Sequence, residues 1–232
     1  MVTDNLLQIR SRIADACERS GRPQESVRLI AVSKTKPSEM IREAFSAGQT
    51  EFGENKVQEM CAKAEELKDL SITWHLIGHL QKNKVRKAVA VAAMIHSVDT
   101  LELAAEIQKE AARINKIQDI LLEVNVADEE SKFGLRPDEV PAVVNTILDY
   151  SNIRLCGLMT VAPYTENPEE NRVYFQQLKK LAVDIPSKNN DNVSVYGLSM
   201  GMSNDFEIAV EEGATMVRVG SLIFGERHYE DK

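Results

Sequence analysis

Short runs of β-branched and aliphatic residues alternate along this chain with longer stretches in which apolar side chains recur every three or four positions. The first such stretch carries Leu6, Leu7, Ile9 and Ile13 and predicts a helix that stops at Gly21-Arg22-Pro23. Residues 27–33 (VRLIAVS) read as a buried strand, and Pro37, whose fixed φ suits a first turn, opens a helix running to Gly48. The alternation continues with strands at 50–53, 72–77, 94–98, 117–126, 153–161, 193–198 and 216–219. Helices fall between them at 55–67, 81–92, 100–115, after Pro137, at 168–183 and at 204–212.

Regular strand–helix alternation predicts parallel strands with helical crossovers, and eight such units predict a closed (β/α)8 TIM barrel. An open doubly wound sheet is the competing architecture. At 232 residues the barrel is compact, with short loops. No composition break or Pro/Ser-rich linker marks a boundary, so residues 1–232 read as a single domain with an N-terminal helix, and 187–192 as a surface loop.

Composition narrows the function classes. Hydrophobic residues at 43% and charged ones at 28% suit a folded globular core. The 28 basic against 36 acidic residues give a net charge of −8, which disfavours nucleic acid and anionic membranes as partners. Cys17, Cys61 and Cys156 are widely spaced and fit neither a disulfide framework nor a metal knuckle. Asp4, Arg10, Arg12 and Asp15 break any signal-peptide apolar core, so a cytoplasmic protein is expected.

In a parallel barrel the C-terminal strand ends converge on one face, and reactive residues there are site candidates. Lys34 closes the first strand. Partial burial and the nearby charge of Lys36 favour its neutral amine, which can condense with an aldehyde; the alternative is a lysine that merely leaves the sheet for solvent. The last strand ends in Arg218-Val219-Gly220-Ser221, where close backbone approach and a short helix start would make the phosphate cradle common in barrels. Arg218 is a fixed cation beside Lys34 if it points inward, and an outer salt-bridge partner if it does not.

Residues 197–201 (GLSMG) match the G-x-S-x-G elbow formally, but one strand follows and His228 is the only later histidine, so Ser199 is not read as a nucleophile. Ser203 and Asn204 read instead as helix-opening residues facing an anion. Asn55 is either an orienting hydrogen-bond partner or a helix cap. His75 and His79 lie on strand and loop rather than on one helix face, so no metal site is expected. Lys82, Lys84, Arg86 and Lys87 read as a solvated helix face.

Six segments in order, AVSKTKP (31–37), FGEN (52–55), the His75–Gly78 stretch with QKNK (81–84), GLMT (157–160), LSMGMS (198–203) and MVRVGSLIFG (216–225), resemble the pyridoxal-phosphate homeostasis proteins. The resemblance spans nearly the whole chain. It implies a barrel similar to the N-terminal domain of alanine racemase, the type III fold of pyridoxal-phosphate (PLP) proteins. It implies pyridoxal 5′-phosphate as cofactor, held as a Schiff base on Lys34, with Ser203, Gly220 and Ser221 at the phosphate and Arg218 at the pyridine nitrogen. Asn55 is expected near the ring's phenolic side, with His75, Met159 and Ser199 completing the pocket.

An arginine at the ring nitrogen disfavours the pyridinium and weakens carbanion stabilisation. Alanine racemase adds a tyrosine from a second, β-rich domain, and no such domain is expected here. The expectation is therefore a non-catalytic carrier or regulator in PLP (vitamin B6) homeostasis, affecting amino-acid and keto-acid balance, with a PLP-dependent amino-acid racemase as the alternative. It is expected to be a monomer that meets PLP-requiring enzymes transiently.

Overall fold

A computed structural model describes residues 1–129, 132–185 and 193–226, the side chains of 193–196 excepted. The helix α1 (Val2–Arg19) precedes eight strand–helix units. In chain order these are β1 (Arg28–Val32), α2 (Ser38–Ser46), β2 (Glu51–Glu54), α3 (Val57–Glu66), β3 (Thr73–Leu76), α4 (Val85–Val91), β4 (Met94–Val98) and α5 (Leu101–Arg113). They continue as β5 (Gln118–Glu123), α6 (Val140–Ile147), β6 (Ile153–Met159), α7 (Arg172–Asp184), β7 (Val193–Ser199), α8 (Phe206–Glu211), β8 (Met216–Val219) and α9 (Ser221–Phe224). Every neighbouring pair is parallel, the strands follow chain order, and β8 pairs back onto β1, so the sheet is a closed barrel rather than an open one. The loop expected at 187–192 and His228 lie outside the described residues.

One expected helix start is corrected. Pro137 sits in a turn in which Glu139 N–H donates to Arg136 O, and α6 begins at Val140 with Pro141 in its first turn. A proline suits either place, because both need φ near −65° and neither needs its N–H.

Two apolar layers follow from the strand pleat. Outward residues such as Phe52, Leu76, Ile95 and Leu122 pack beneath the helices, together with Ile41, Met60 and Ile107 of the helices themselves. Inward residues Ile30, Met94, Leu121, Cys156, Met159 and Met216 fill the barrel. The sheet is irregular on one side: β6 shifts register against both β5 and β7 beside Gly157, whose φ is +154°. A Cβ at Gly157 would overlap the Gly197 carbonyl, so the two strands approach at that point only because neither carries a side chain.

The eighth crossover ends in the four-residue α9, too short to cover β8 and β1. The amphipathic α1 fills that gap, burying Leu6, Ile9, Ile13 and Ala16 against its neighbours. Arg12 donates to Glu207, Asn5 to Ile223 O, and the Val2 N–H to Glu43, which ties α1 to α8, α9 and α2, and Arg22 beyond the helix donates to Val210 O and Ala214 O. No helix among the described residues is long and apolar enough to cross a membrane.

Candidate functional site

The C-terminal strand ends open into a cavity of about 490 Å³, within the range that holds small ligands. Val32, Lys34, Asn55 and Ile77 line one side, and Ser203, Arg218, Gly220 and Ser221 line the other. Barrel closure brings these together: Ile30 stands opposite Arg218 in the β1–β8 register, so both chain ends supply adjacent strands to one mouth.

Arg218 points inward and is 4% exposed. Its Nη1 donates to Ser199 Oγ at 2.7 Å and its Nη2 to the Thr160 carbonyl at 2.8 Å. Burial lowers the guanidinium to about 10, against the opposing pull of Glu123 and Asp205, which leaves it cationic at neutral pH. With two of its five N–H groups anchored, it presents a fixed charge to the cavity.

The loops after β7 and β8 make the opposite wall. Gly220 N–H donates to Ser203 Oγ at 3.3 Å, which leaves the serine's own proton for an acceptor in the cavity. The first N–H groups of α9 have no intrahelical acceptor. Ser203 and Asn204 do not open α8, as their sequence context suggests; they lie in the turn before it. Asp205 closes that turn, accepting from Met202 N–H at 2.7 Å and from Asn171 Nδ2 at 2.8 Å, while Asn204 Nδ2 donates to Thr165 O at 2.9 Å. Asn55 is likewise not a cap: Lys56 holds that position for α3, and Asn55 faces the cavity.

Lys34 lies two residues beyond β1, half-buried in a turn whose next residue, Thr35, has φ +63°. That conformation is uncommon for a β-branched residue and costs about 1–3 kcal/mol unless neighbours hold it. A clamp that sequence reading missed does so. Lys63 of α3, 7% exposed, donates to Ser33 O, Glu54 Oε1 and Glu59 Oε1, each at 2.7 Å. Glu54 Oε1 also accepts from Ser33 Oγ, and Glu59 Oε1 from Thr35 N–H, both at 2.6 Å. Burial raises the Glu54 carboxyl above its ordinary value in spite of the hydrogen bonds from Lys63 and Ser33. In sequence Lys63 was one more charged position on an amphipathic helix; only its inward aim distinguishes it.

His75, Met159 and Ser199 are not on the cavity wall. All three are buried inside the barrel: Met159 belongs to the inner apolar layer, and His75 and Ser199 both contact His96 of β4, at 2.9 Å each. They lie within strands whose pleat turns them toward the axis below the mouth, and their sequence motifs do not carry that depth. A further buried group is Glu123 at the end of β5; burial first and Asp99 second push its carboxyl up to about 7, with Arg218 opposing.

Comparison with known proteins agrees with this fold. The alanine racemase N-terminal domain family matches residues 5–228. A pyridoxal phosphate homeostasis protein of Aquifex aeolicus is 47% identical over 226 residues, 97% of this chain and 98% of that one. The structure of PipY from Synechococcus elongatus PCC7942 with PLP bound is 38% identical, with TM-score 0.84 over 97% of this chain and 100% of that chain. An alanine racemase of Clostridium difficile, 15% identical, shares the fold at TM-score 0.70, over 98% of this chain and 60% of its own.

Proposed function

This chain belongs to the pyridoxal phosphate homeostasis protein family, and on that premise we propose that it binds pyridoxal 5′-phosphate as a non-catalytic carrier in the homeostasis of the vitamer. Bound, the cofactor supplies an electrophilic aldehyde and an electron-withdrawing ring. Lys34 provides the amine that attaches the aldehyde. The Ser203 hydroxyl, Gly220, Ser221 and the opening N–H groups of α9 take the phosphate, and Asn55 orients the phenolic side. Arg218 donates toward the ring nitrogen and withholds a proton from it. His75, Met159 and Ser199 support the pocket from beneath.

The observation that carries this reading is that Lys34, the buried Arg218 and the anion-facing Ser203, Gly220 and Ser221 line one cavity. The donor set fits the cofactor: a lysine amine, a fixed cation and a helix start suited to a dianionic group. The carrier role is supported by what the mouth holds for proton transfer. Tyr164, the tyrosine lining the cavity, is 88% exposed, so its hydroxyl stands in solvent and not against a shielded reaction centre. The same reading makes the protein a cytoplasmic monomer that meets PLP-requiring enzymes transiently.

The test is the absorption spectrum of the purified protein with added pyridoxal 5′-phosphate, followed by a steady-state racemisation assay on a panel of amino acids. A visible-edge band without turnover is the expected result. Sustained racemisation abolished by Lys34→Ala would replace the carrier with a racemase, and the absence of any band would remove the cofactor.

A further inference from the structure

Five side chains from five strands form one polar line through the barrel. Arg218 of β8 donates to Ser199 Oγ of β7 at 2.7 Å, and Ser199 Oγ lies 2.9 Å from His96 Nδ1 of β4. His96 Nε2 lies 2.9 Å from His75 Nδ1 of β3, and His75 Nε2 stands 3.2 Å from Glu51 Oε2 of β2. Arg218 lines the mouth cavity; Glu51 lines a second cavity of about 480 Å³, beside Arg28 and Gln49, at the opposite end. Barrel interiors are ordinarily filled by branched apolar side chains, and here Ile30, Leu121 and Met216 supply that filling around the line. A buried polar chain in such a place is costly unless each member is satisfied.

The protons order themselves from the Arg218 end. Arginine has only donors, so Ser199 Oγ accepts, and the serine's one proton is left for His96 Nδ1. Burial above all holds His96 well below its ordinary pKa, so it is neutral. A neutral ring that accepts at Nδ1 carries its proton at Nε2, and His96 therefore donates to His75 Nδ1. His75 in turn presents Nε2–H to Glu51. His75 Nε2 and Glu51 Oε2 stand 3.2 Å apart without making a hydrogen bond, and neither has another hydrogen-bond partner, so the line ends in a close polar contact. The three hydrogen bonds run in the same sense, from Arg218 toward His75, whose remaining N–H side faces Glu51.

We propose that Glu51, His75 and His96 are positioning residues for Arg218, acting through Ser199, so that the carboxylate at the far end of the barrel governs how the guanidinium is held at the mouth. Thr160 O anchors the other guanidinium nitrogen, so a shift at Ser199 pivots the group about that anchor. The charged groups facing the line are Arg28 of β1, 3.7 Å from Glu51, and Glu123 of β5 and Asp205 before α8, which act on Arg218. The cofactor arm of the test rests on the proposed function; the histidine arm does not.

The histidine arm uses the full chain without added cofactor, labelled with ¹⁵N at the histidine rings. Native protein is expected to show His75 and His96 protonated at Nε2 alone. Glu51→Gln is expected to move the ring resonances of both histidines, while Glu25→Gln, a charge change on the same far cavity, moves neither. A native His96 protonated at Nδ1, or a His96 unmoved by Glu51→Gln, overturns the relay. The native measurement decides the polarity even where the variant does not fold.

The cofactor arm titrates the absorption band of protein loaded with pyridoxal 5′-phosphate. Glu51→Gln is expected to shift its pH midpoint by about half a unit, roughly a threefold change in the equilibrium, and Glu25→Gln to leave it in place. No shift, or equal shifts in both variants, overturns the coupling. A native protein that forms no band refutes the cofactor assignment instead, and the histidine arm still judges the relay.

Discussion

Ile30 and Arg218 face each other across the seam between β1 and β8, in the register that closes the barrel. Their pairing places the turn that carries Lys34 beside the strand that carries Arg218, although the two residues lie near opposite ends of the chain. Each buried polar contact around that seam has a measurable consequence.

Lys34→Ala is expected to abolish covalent attachment of pyridoxal phosphate. After borohydride treatment and digestion, native protein yields one modified peptide containing Lys34. The variant yields none, and an adduct persisting at full yield on Lys36 would reassign the attachment site.

Ser203→Ala removes a hydroxyl whose acceptor side is already used by Gly220 N–H at 3.3 Å. Affinity for the cofactor is expected to fall by about 1–3 kcal/mol, the cost of one hydrogen bond to a charged group. Equilibrium dialysis of the vitamer measures it, and an unaltered dissociation constant takes Ser203 out of the phosphate wall.

Lys63→Met leaves Glu54 and Glu59 facing each other without their shared cation. Breaking a buried pair in this way costs about 3–5 kcal/mol, readable as a lowered midpoint in urea. The Thr35 turn loses its support in the same variant, so the rate of cofactor attachment at Lys34 is expected to fall as well. Undiminished stability would show that the clamp contributes nothing.

Glu123 gives a pH signature. Its carboxyl is raised from 4.5 to about 7 in the folded chain, so between those values the native state holds a proton that the unfolded state has released. The stability this contributes is complete below about pH 4.5 and is lost as pH rises through about 7, a total near 3 kcal/mol. Glu123→Gln is expected to gain stability relative to native protein by about that amount between pH 4.5 and pH 8. Parallel stability curves for the two proteins would place the carboxyl's titration elsewhere.

Much of the architecture was legible because periodicity is a local property. The runs at 94–98 and 216–219 coincide with β4 and β8 to the residue. Pro137 misled because a proline satisfied by a turn looks the same in sequence as one that starts a helix. Ser203 and Asn204 misled for a similar reason: α8 starts later, at Phe206, and the Asp205 side chain accepts the Met202 N–H across the turn that holds both residues.

By itself the sequence determined the alternation of strand and helix, hence a parallel barrel, and through its motifs the residues that gather at the mouth. Both follow from side-chain periodicity and from the rule that parallel strands end on one face. Tertiary structure alone decided depth and direction. Whether Arg218 turned inward, whether Lys63 aimed at the Lys34 turn, and whether His75 walled the cavity or lay below it depended on strand tilt, pleat and closure. Those are set by contacts between residues far apart in the chain, and no local window of sequence contains them.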